Sequence, residues 1–373
     1  MKHIYLDYNA STPLASEVVE AMTPFLTEHY GNPSTSHFAA IEAKKAVEKA
    51  REQVASLIGA SKDEIIFTSG GSESNNHVIK MVFEQNKHKG KHIITTTIEH
   101  PAVAAPLRYL EEKGAEVTYI PVDRYGQVSA DEIERAIRPD TILITVMHAN
   151  NEVGTLQPIE KIGKIAQSQD ILFHTDAAQS LGKVEVNVMK QSVDFLSIAG
   201  HKLYAPKGVG ALYIRKGRQL PSYIHGAGHE NGLRAGTENV LLIVGLGTAC
   251  EIAKQRLDQA DKIKALKDDF LTLLNEAFPN QIRVNGHPTS CLPNTLNVSF
   301  QGRIGQDILA AVPEVAASTG SACHSGEVTL SPVLQAMGIT PEKGQGTIRF
   351  SLGRYTTHND ITATVDLLKE RLS

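Results

Sequence analysis

Apolar positions along this chain follow two periods in turn. Between residues 40 and 58, Ala43, Val47, Ala50, Val54 and Leu57 recur every three or four places, which predicts an amphipathic helix ending at Gly59. Short apolar or β-branched runs then alternate with helical patterns. "EIIFT" precedes a helix in "ESNNHVIKMVF", "HIITTTI" precedes "AVAAPLRYLEEKG", "EVTYIPV" precedes "SADEIERAI", and "TILITVM" precedes "IEKIGKIAQSQ". "ILFHTDA" and "DFLSIAG" follow. Runs without polar alternation belong to strands buried on both faces, so the pattern predicts a mostly parallel sheet with helices on either side. No helical segment separates "GVGALYIR" from the strand before it, which predicts a hairpin at one edge of that sheet.

Beyond "LLIVGLGTACEIA" the pattern changes to a long helix through about residue 278, strands at "TLNVSF", "VAAST" and "TIRFSLG", and a last helix near "ITATVDLLKERL". The expected organisation is a large α/β domain over 15–254 and a smaller α+β domain formed by 1–14 and 255–373.

Composition narrows the function only by exclusion. With 373 residues, 41% of them hydrophobic, the chain can bury a sizeable core, and a formal charge of −4 gives no reason to expect nucleic acid or a membrane surface as partner. Three cysteines without CxxC spacing support neither a disulfide framework nor a zinc site. The N-terminal residues lack a signal-peptide apolar core, and "VLLIVGLGTAC" is too short to span a bilayer, so a cytoplasmic protein is expected.

Ligands of open parallel sheets bind beyond the carboxyl ends of the strands, so polar residues there are the candidates. "TSGGSESNN" joins a strand to a helix through a glycine pair and serines, a shape that suits a phosphate or an ordinary capped turn. Asp176 ends one apolar strand and Lys202 follows the next. Singly, each reads equally well as a structural ion pair or a surface residue. Together, an acid and an amine on neighbouring strand ends can grip opposite sides of a flat ring, as pyridoxal phosphate requires: a Schiff-base lysine, an acid holding the pyridine nitrogen protonated, and a phosphate loop. His100 in "EHPAV" is placed to stack on such a ring, and Asn151 in "HANNEVG" to reach its hydroxyl. No GxGxxG stands between a strand and a helix, which argues against a nicotinamide dehydrogenase.

These motifs, with "YLDYNASTP", "YGNPSTSH", "HTDAAQSLGK", "GHKLYAPKGVGALY", "RAGTENV", "GSACHS" and "IRFSLGRYTT", closely resemble the cysteine desulfurase and selenocysteine lyase family, in the class V aminotransferase group of pyridoxal-phosphate enzymes. The resemblance spans nearly the whole chain. It implies the type I fold of pyridoxal-phosphate transferases, and pyridoxal 5'-phosphate bound by Lys202, Asp176, His100, Asn151, Gln179, Gly71, Ser72 and His201. Thr237 would reach the phosphate from the other subunit of a homodimer with shared active sites. Arg349 would take the substrate carboxylate in a two-point grip, with Asn9 and Asn32 lining the substrate side. Lys202, His100 and Cys323 would be catalytic. Lys202 would move the α-proton, and Cys323, in a loop of small residues, would attack the sulfur of L-cysteine to leave a persulfide and alanine. L-selenocysteine is the alternative substrate, and an acceptor protein would take the sulfur or selenium onward. Cys250 and Cys291 read as structural. Ser72 stands where threonine is common, and Ala199 stands where many members carry a hydroxyl, which removes one phosphate hydrogen bond. An aminotransferase on the same fold is the remaining enzymatic alternative, and a non-catalytic sulfur-relay partner the non-enzymatic one.

Overall fold

The computed structural model describes residues 3–324 and 327–372, and for 321–324 and 327–328 the backbone alone. In chain order its strands are β1 (Ile4–Tyr5), β2 (Ile65–Thr68), β3 (His92–Thr96), β4 (Glu116–Ile120), β5 (Thr141–Thr145), β6 (Leu172–Asp176), β7 (Phe195–Ala199) and β8 (Gly210–Ile214). These are followed by β9 (Ile282–Asn285), β10 (Thr295–Phe300), β11 (Val315–Ala316), β12 (Ser318–Thr319), β13 (Ser321–His324), β14 (Glu327–Leu330) and β15 (Thr347–Ser351).

Seven strands form the large sheet in the order β2-β8-β7-β6-β5-β3-β4. All neighbouring pairs are parallel except those made by β8, which runs antiparallel to both β2 and β7. Both faces are covered, which explains the unbroken apolar runs. Ile65, Phe67, Ile144 and Phe173 enter one core, while Ile66, Leu143 and Leu212 enter the core on the opposite face. The expected hairpin from β7 to β8 is present, but it is not at the edge. β2 pairs along the outer side of β8, a contact between segments nearly 150 positions apart that local pattern does not encode.

The helix predicted over 40–58 runs Ile41–Ile58 and stops at Gly59, whose φ of +71° is the left-handed cap that glycine adopts without strain. The long helix is Ala260–Ala277, set off from Val240–Gln255 by a short turn at Leu257–Gln259.

A second, antiparallel sheet has the order β12-β15-β10-β9. Its core joins Phe270, Leu274, Val298, Phe350 and Leu368 to Ile4 and Leu6 of the N-terminal segment, and β1 pairs in parallel with β11. The N-terminal chain then leaves this sheet and crosses toward the large one. Asp7 bridges to Ser351, and Thr12 donates to the carbonyl of His201. β13 and β14 form a separate two-stranded hairpin, with Cys323 opposite Val328. Its far end is fastened where Leu330, Val333 and Leu334 pack on Ile98, Met147 and Val153.

Candidate active site

Five segments that follow large-sheet strands meet at the carboxyl end of the sheet. After β2, the chain turns through Gly70 into the helix Gly71–Asn86. That turn lies against the start of β8 so tightly that a Cβ at Gly210 would stand 2.7 Å from Gly70 Cα, and one at Gly71 3.3 Å from Ala199 Cβ. Small residues at 71, 199 and 210 are thus packing requirements that bring backbone N–H groups to the surface.

Beside this turn, Ser11, Ser69, Gly71, Ser72, His201 and Lys207 surround a hollow of about 460 Å³. Ser11 Oγ is buried there without a partner. The carboxylate in the vicinity, Glu73, is already engaged by Arg234 at 2.9 Å and by the Ser69 N–H. Burial, with Lys202 and Lys207 adding, pushes His201 down to about 4, so it is neutral at pH 7. Open helix N–H groups, an orphan hydroxyl and a free cation form a donor set for a phosphate.

Asp176, buried at the end of β6, accepts from Asn75 Nδ2 at 2.7 Å and from the Ala178 N–H at 2.9 Å. His100 caps the helix Pro101–Glu111, its Nδ1 accepting from the Ala102 N–H at 3.1 Å, which leaves the proton of the neutral ring on Nε2. One side of this ring is open to solvent, yet desolvation by surrounding protein lowers its pKa, with Asp176 opposing and Lys202 assisting. Lys202 sits in the tight turn Gly200–Lys202 and donates to the Asn9 carbonyl at 2.6 Å and the Ala10 carbonyl at 2.9 Å. Desolvation first, then Arg349, pushes it down to about 8 against the pull of Asp7 and Asp176. Free amine, about a tenth of the total at pH 7 and more in mildly alkaline solution, is therefore accessible.

The side of the second sheet is held by Arg349 on β15. Its Nη1 donates to the Asn151 carbonyl at 3.0 Å, and its Nη2 to Asp7 Oδ1 at 2.7 Å and Ser318 Oγ at 2.8 Å. Its Nε is buried without a partner, a donor left over for a carboxylate. Gln179 donates to the Asn9 carbonyl at 2.9 Å. Asn9 is a structural hub: its side chain bonds the Asn151 carbonyl, Thr295, Asn294 and Lys183, so its amide is fully engaged inside the protein.

Lys202, Asn9, Gln179, Asn151 and Arg349 thus form one hydrogen-bonded group, and His100, Asp176 and His201 are tied to it through the charge of Lys202. Two of the expected residues stand apart. Asn32 is exposed, with its hydrogen bonds to Ser34 and Thr35 of its own turn. Thr237 is exposed and lines a neighbouring hollow with Ser69 and Gly208. The Cys323 side chain lies outside the described part of the structure. Its backbone belongs to the hairpin, whose far end is tied to the Asn151 loop by a 2.5 Å hydrogen bond from Ser331 Oγ to Glu152 Oε2.

Three functional-looking side chains escaped the sequence reading. Asn75 hides within a helix pattern and shows itself only by its bond to Asp176. Glu99, beside His100, is pushed by burial up to about 8 while accepting from Thr96 Oγ1 and the Met147 N–H. Lys183 reaches the same network as Gln179, four residues earlier in "QSLGK", a spacing that would have put both on one side of a helical turn.

An amine and an acid at adjacent strand ends, a neutral imidazole, a phosphate cradle and an orphan guanidinium donor fit pyridoxal 5'-phosphate and an amino-acid substrate. The comparisons agree. The family model for aminotransferase class-V matches residues 4–364. The chain is 50% identical to "Cysteine desulfurase IscS" of Dictyoglomus turgidum, covering 99% of this chain and 94% of that one. It is 46% identical to the protein of the same description from Methanosarcina thermophila, covering 99% and 92%. A solved structure titled "NIFS-LIKE PROTEIN" superposes with a TM-score of 0.93 at 40% identity, covering 99% of both chains. Another, "SspA in complex with cysteine", gives 0.84 at 41% identity, covering 95% of this chain and all of that one.

The site and fold define a pyridoxal-phosphate-dependent enzyme of the type I α/β architecture. The chain belongs to the class-V aminotransferase family.

Proposed function

We propose that the protein is a cysteine desulfurase, converting L-cysteine to L-alanine and passing the sulfur to Cys323 as a persulfide. The observation that carries this reading is the Lys202 amine, held by two carbonyls within charge range of Asp176 and Arg349 and lowered to about 8. Extended identity to proteins described as cysteine desulfurases supports the choice of substrate.

Asp176 would hold the ring nitrogen, the Gly71–Ser72 turn with His201 would take the phosphate, and Gln179 and Asn151 would serve the ring hydroxyl. Bound there, pyridoxal 5'-phosphate supplies an electron sink that stabilises negative charge at the substrate Cα. The Arg349 Nε and the rest of its guanidinium orient the substrate carboxylate. Lys202 Nζ would take the proton from the substrate Cα, which requires a neutral amine. Neutral His100 carries its proton on Nε2 and is suited to holding or handing on a proton at the substrate thiol. The Cys323 thiolate forms a bond to the substrate sulfur as the carbon–sulfur bond breaks. The electron pair stays with the three-carbon fragment, which is protonated and leaves as alanine.

A homodimer completes the cup in this reading, with the partner's Thr237 against the phosphate. Phe38, Tyr30 and Leu26, 88%, 85% and 66% exposed, support a covered face at the N-terminal segment. A sulfur acceptor protein would relieve the persulfide. No helix among the described residues is long and apolar enough to cross a membrane, and no group of His, Cys, Asp or Glu among them is arranged to hold a metal.

The test is a pair of variants with L-cysteine as substrate. Lys202→Ala removes the Lys202-dependent visible absorbance of the cofactor-loaded protein and lowers turnover by roughly a thousandfold. Cys323→Ala keeps the absorbance and loses alanine formation. 3-Mercaptopyruvate with a pyridoxamine enzyme in place of alanine would reassign the protein as an aminotransferase. Turnover of L-selenocysteine measured beside L-cysteine sets the preference between sulfur and selenium.

A further inference from the structure

Lys183 is a second amine inside the site, and no step above uses it. It follows the short turn after β6, and its Nζ donates to Gln179 Oε1 at 2.9 Å and to Asn9 Oδ1 at 3.3 Å. Both acceptors are neutral amide oxygens of buried side chains. The charged groups facing it are cations: Lys202 and Arg349 on the site side, and Arg256, Lys262 and Arg354 across a cavity of about 340 Å³ between the two sheets' domains. Of these, Arg256 has its own partner in Glu17 at 2.9 Å, and among the described residues no carboxylate lines that cavity. An ammonium in such surroundings keeps little of its hydration and gains no ion pair. Desolvation, with Lys202 and then Arg349 adding, pushes Lys183 down to about 7.

Its contacts decide the orientation of two residues that the site depends on. An amide can face either way, and Gln179 is fixed because a donor-only ammonium can bond its oxygen and not its NH₂. The NH₂ is thereby turned to the Asn9 carbonyl, the same oxygen that receives Lys202. Asn9 is pinned from the other side in the same way, its Oδ1 taking Lys183 and Asn294 while its Nδ2 meets Thr295 and the Asn151 carbonyl.

We propose that Lys183 is a positioning residue of the active site: it fixes the direction of the Gln179 and Asn9 amides and places a second cation beside the Lys202 amine. The proposal rests on the reading of Lys202 as the cofactor-bearing lysine. Because interaction between two titrating sites is reciprocal, whatever Lys202 does to the proton on Lys183, Lys183 does to the proton on Lys202. Its cation lowers the proton affinity of the Lys202 nitrogen, and the influence fades as Lys183 itself deprotonates.

The experiment is a pH titration of the visible absorbance of the pyridoxal-phosphate-loaded protein, for wild type, Lys183→Met and Lys183→Arg, with Lys202→Ala as control. Removing the neighbouring charge favours the protonated nitrogen, so Lys183→Met shifts the transition upward, on the order of one pH unit. Lys183→Arg keeps a donor-only cation and leaves the transition at or below the wild-type position. A role in folding alone would lower the Tm of the Met variant and leave the midpoint in place. Coincident midpoints for wild type and Met, or an Arg variant that follows Met, overturn the proposal while Lys202 stands. Wild-type absorbance that persists in Lys202→Ala overturns both.

Discussion

The two reacting groups of the proposed chemistry stand on very different supports. Lys202 and Asp176 rise from the interior of a seven-stranded sheet, and every neighbour of theirs is itself tied down. Asp176 has two donors, Lys202 two carbonyls, and Asn9 beneath them is bonded on all sides. Cys323 stands on a two-stranded hairpin that pairs with no other strand among the described residues and is fastened at its far end. A lone two-stranded ribbon has little stability of its own. In the proposed chemistry, the site that holds charge in fixed geometry is built as core, and the segment that would take up the sulfur and carry it off is built as an appendage. Preorganised electrostatics need the first arrangement and a travelling nucleophile needs the second.

Gly210→Ala strikes the rigid side hardest. Its methyl group would meet the Ile198 carbonyl and the Gly70 backbone, neither of which is a flexible side chain. Overpacking at this point costs about 3 kcal/mol and displaces the phosphate turn. The expected outcome is a lower urea midpoint together with weaker retention of pyridoxal phosphate on dialysis. Full retention would mean that the turn is not as tightly built as its contacts indicate.

Ser331→Ala loosens the hairpin side. It leaves the Glu152 carboxyl, whose pKa burial already raises, without its hydroxyl donor, at a cost of about 1–2 kcal/mol. Turnover of L-cysteine should fall while the cofactor absorbance stays unchanged, because Lys202 and Asp176 keep all their hydrogen bonds. A matched loss of absorbance would show that the two regions are mechanically one.

How far this contrast could be read from the sequence differs by region. Strand ends are legible because polar residues at or just past an apolar run are conspicuous: Asp176 closes β6, and Lys202 and His100 follow the ends of β7 and β3. Arg349 is harder, since it lies within a strand buried along its whole length. The place of β8 was misjudged because an interior strand and an edge strand covered by helices share the same apolar run. The β13–β14 hairpin was invisible for the opposite reason, as its small polar residues carry no alternation. Lys183 and Glu99 were passed over because a lysine after a glycine and a glutamate before a histidine look like surface positions. What makes them unusual is the absence of an opposite charge around them among the described residues, which depends on what the fold brings there: Met147 and Asp176 around Glu99, Asn9 and Arg349 around Lys183.

Glu99 offers the finest test of the rigid side. Its folded pKa of about 8 lies above the ordinary 4.5, so the folded protein keeps a proton that the unfolded chain gives up. Its contribution to stability is whole below the unfolded value and is lost as pH rises through about 8. Glu99→Gln mimics the protonated carboxyl without titrating, keeps an acceptor for Thr96 and the Met147 N–H, and should remove part of that alkaline loss, on the order of 1 kcal/mol. Denaturant midpoints of wild type and variant, compared in mildly acidic and mildly alkaline buffer, should therefore converge at low pH and separate at high pH with the variant ahead. Curves that separate at low pH instead would mean that Glu99 is ionised in the folded protein, adding a second negative charge near Asp176.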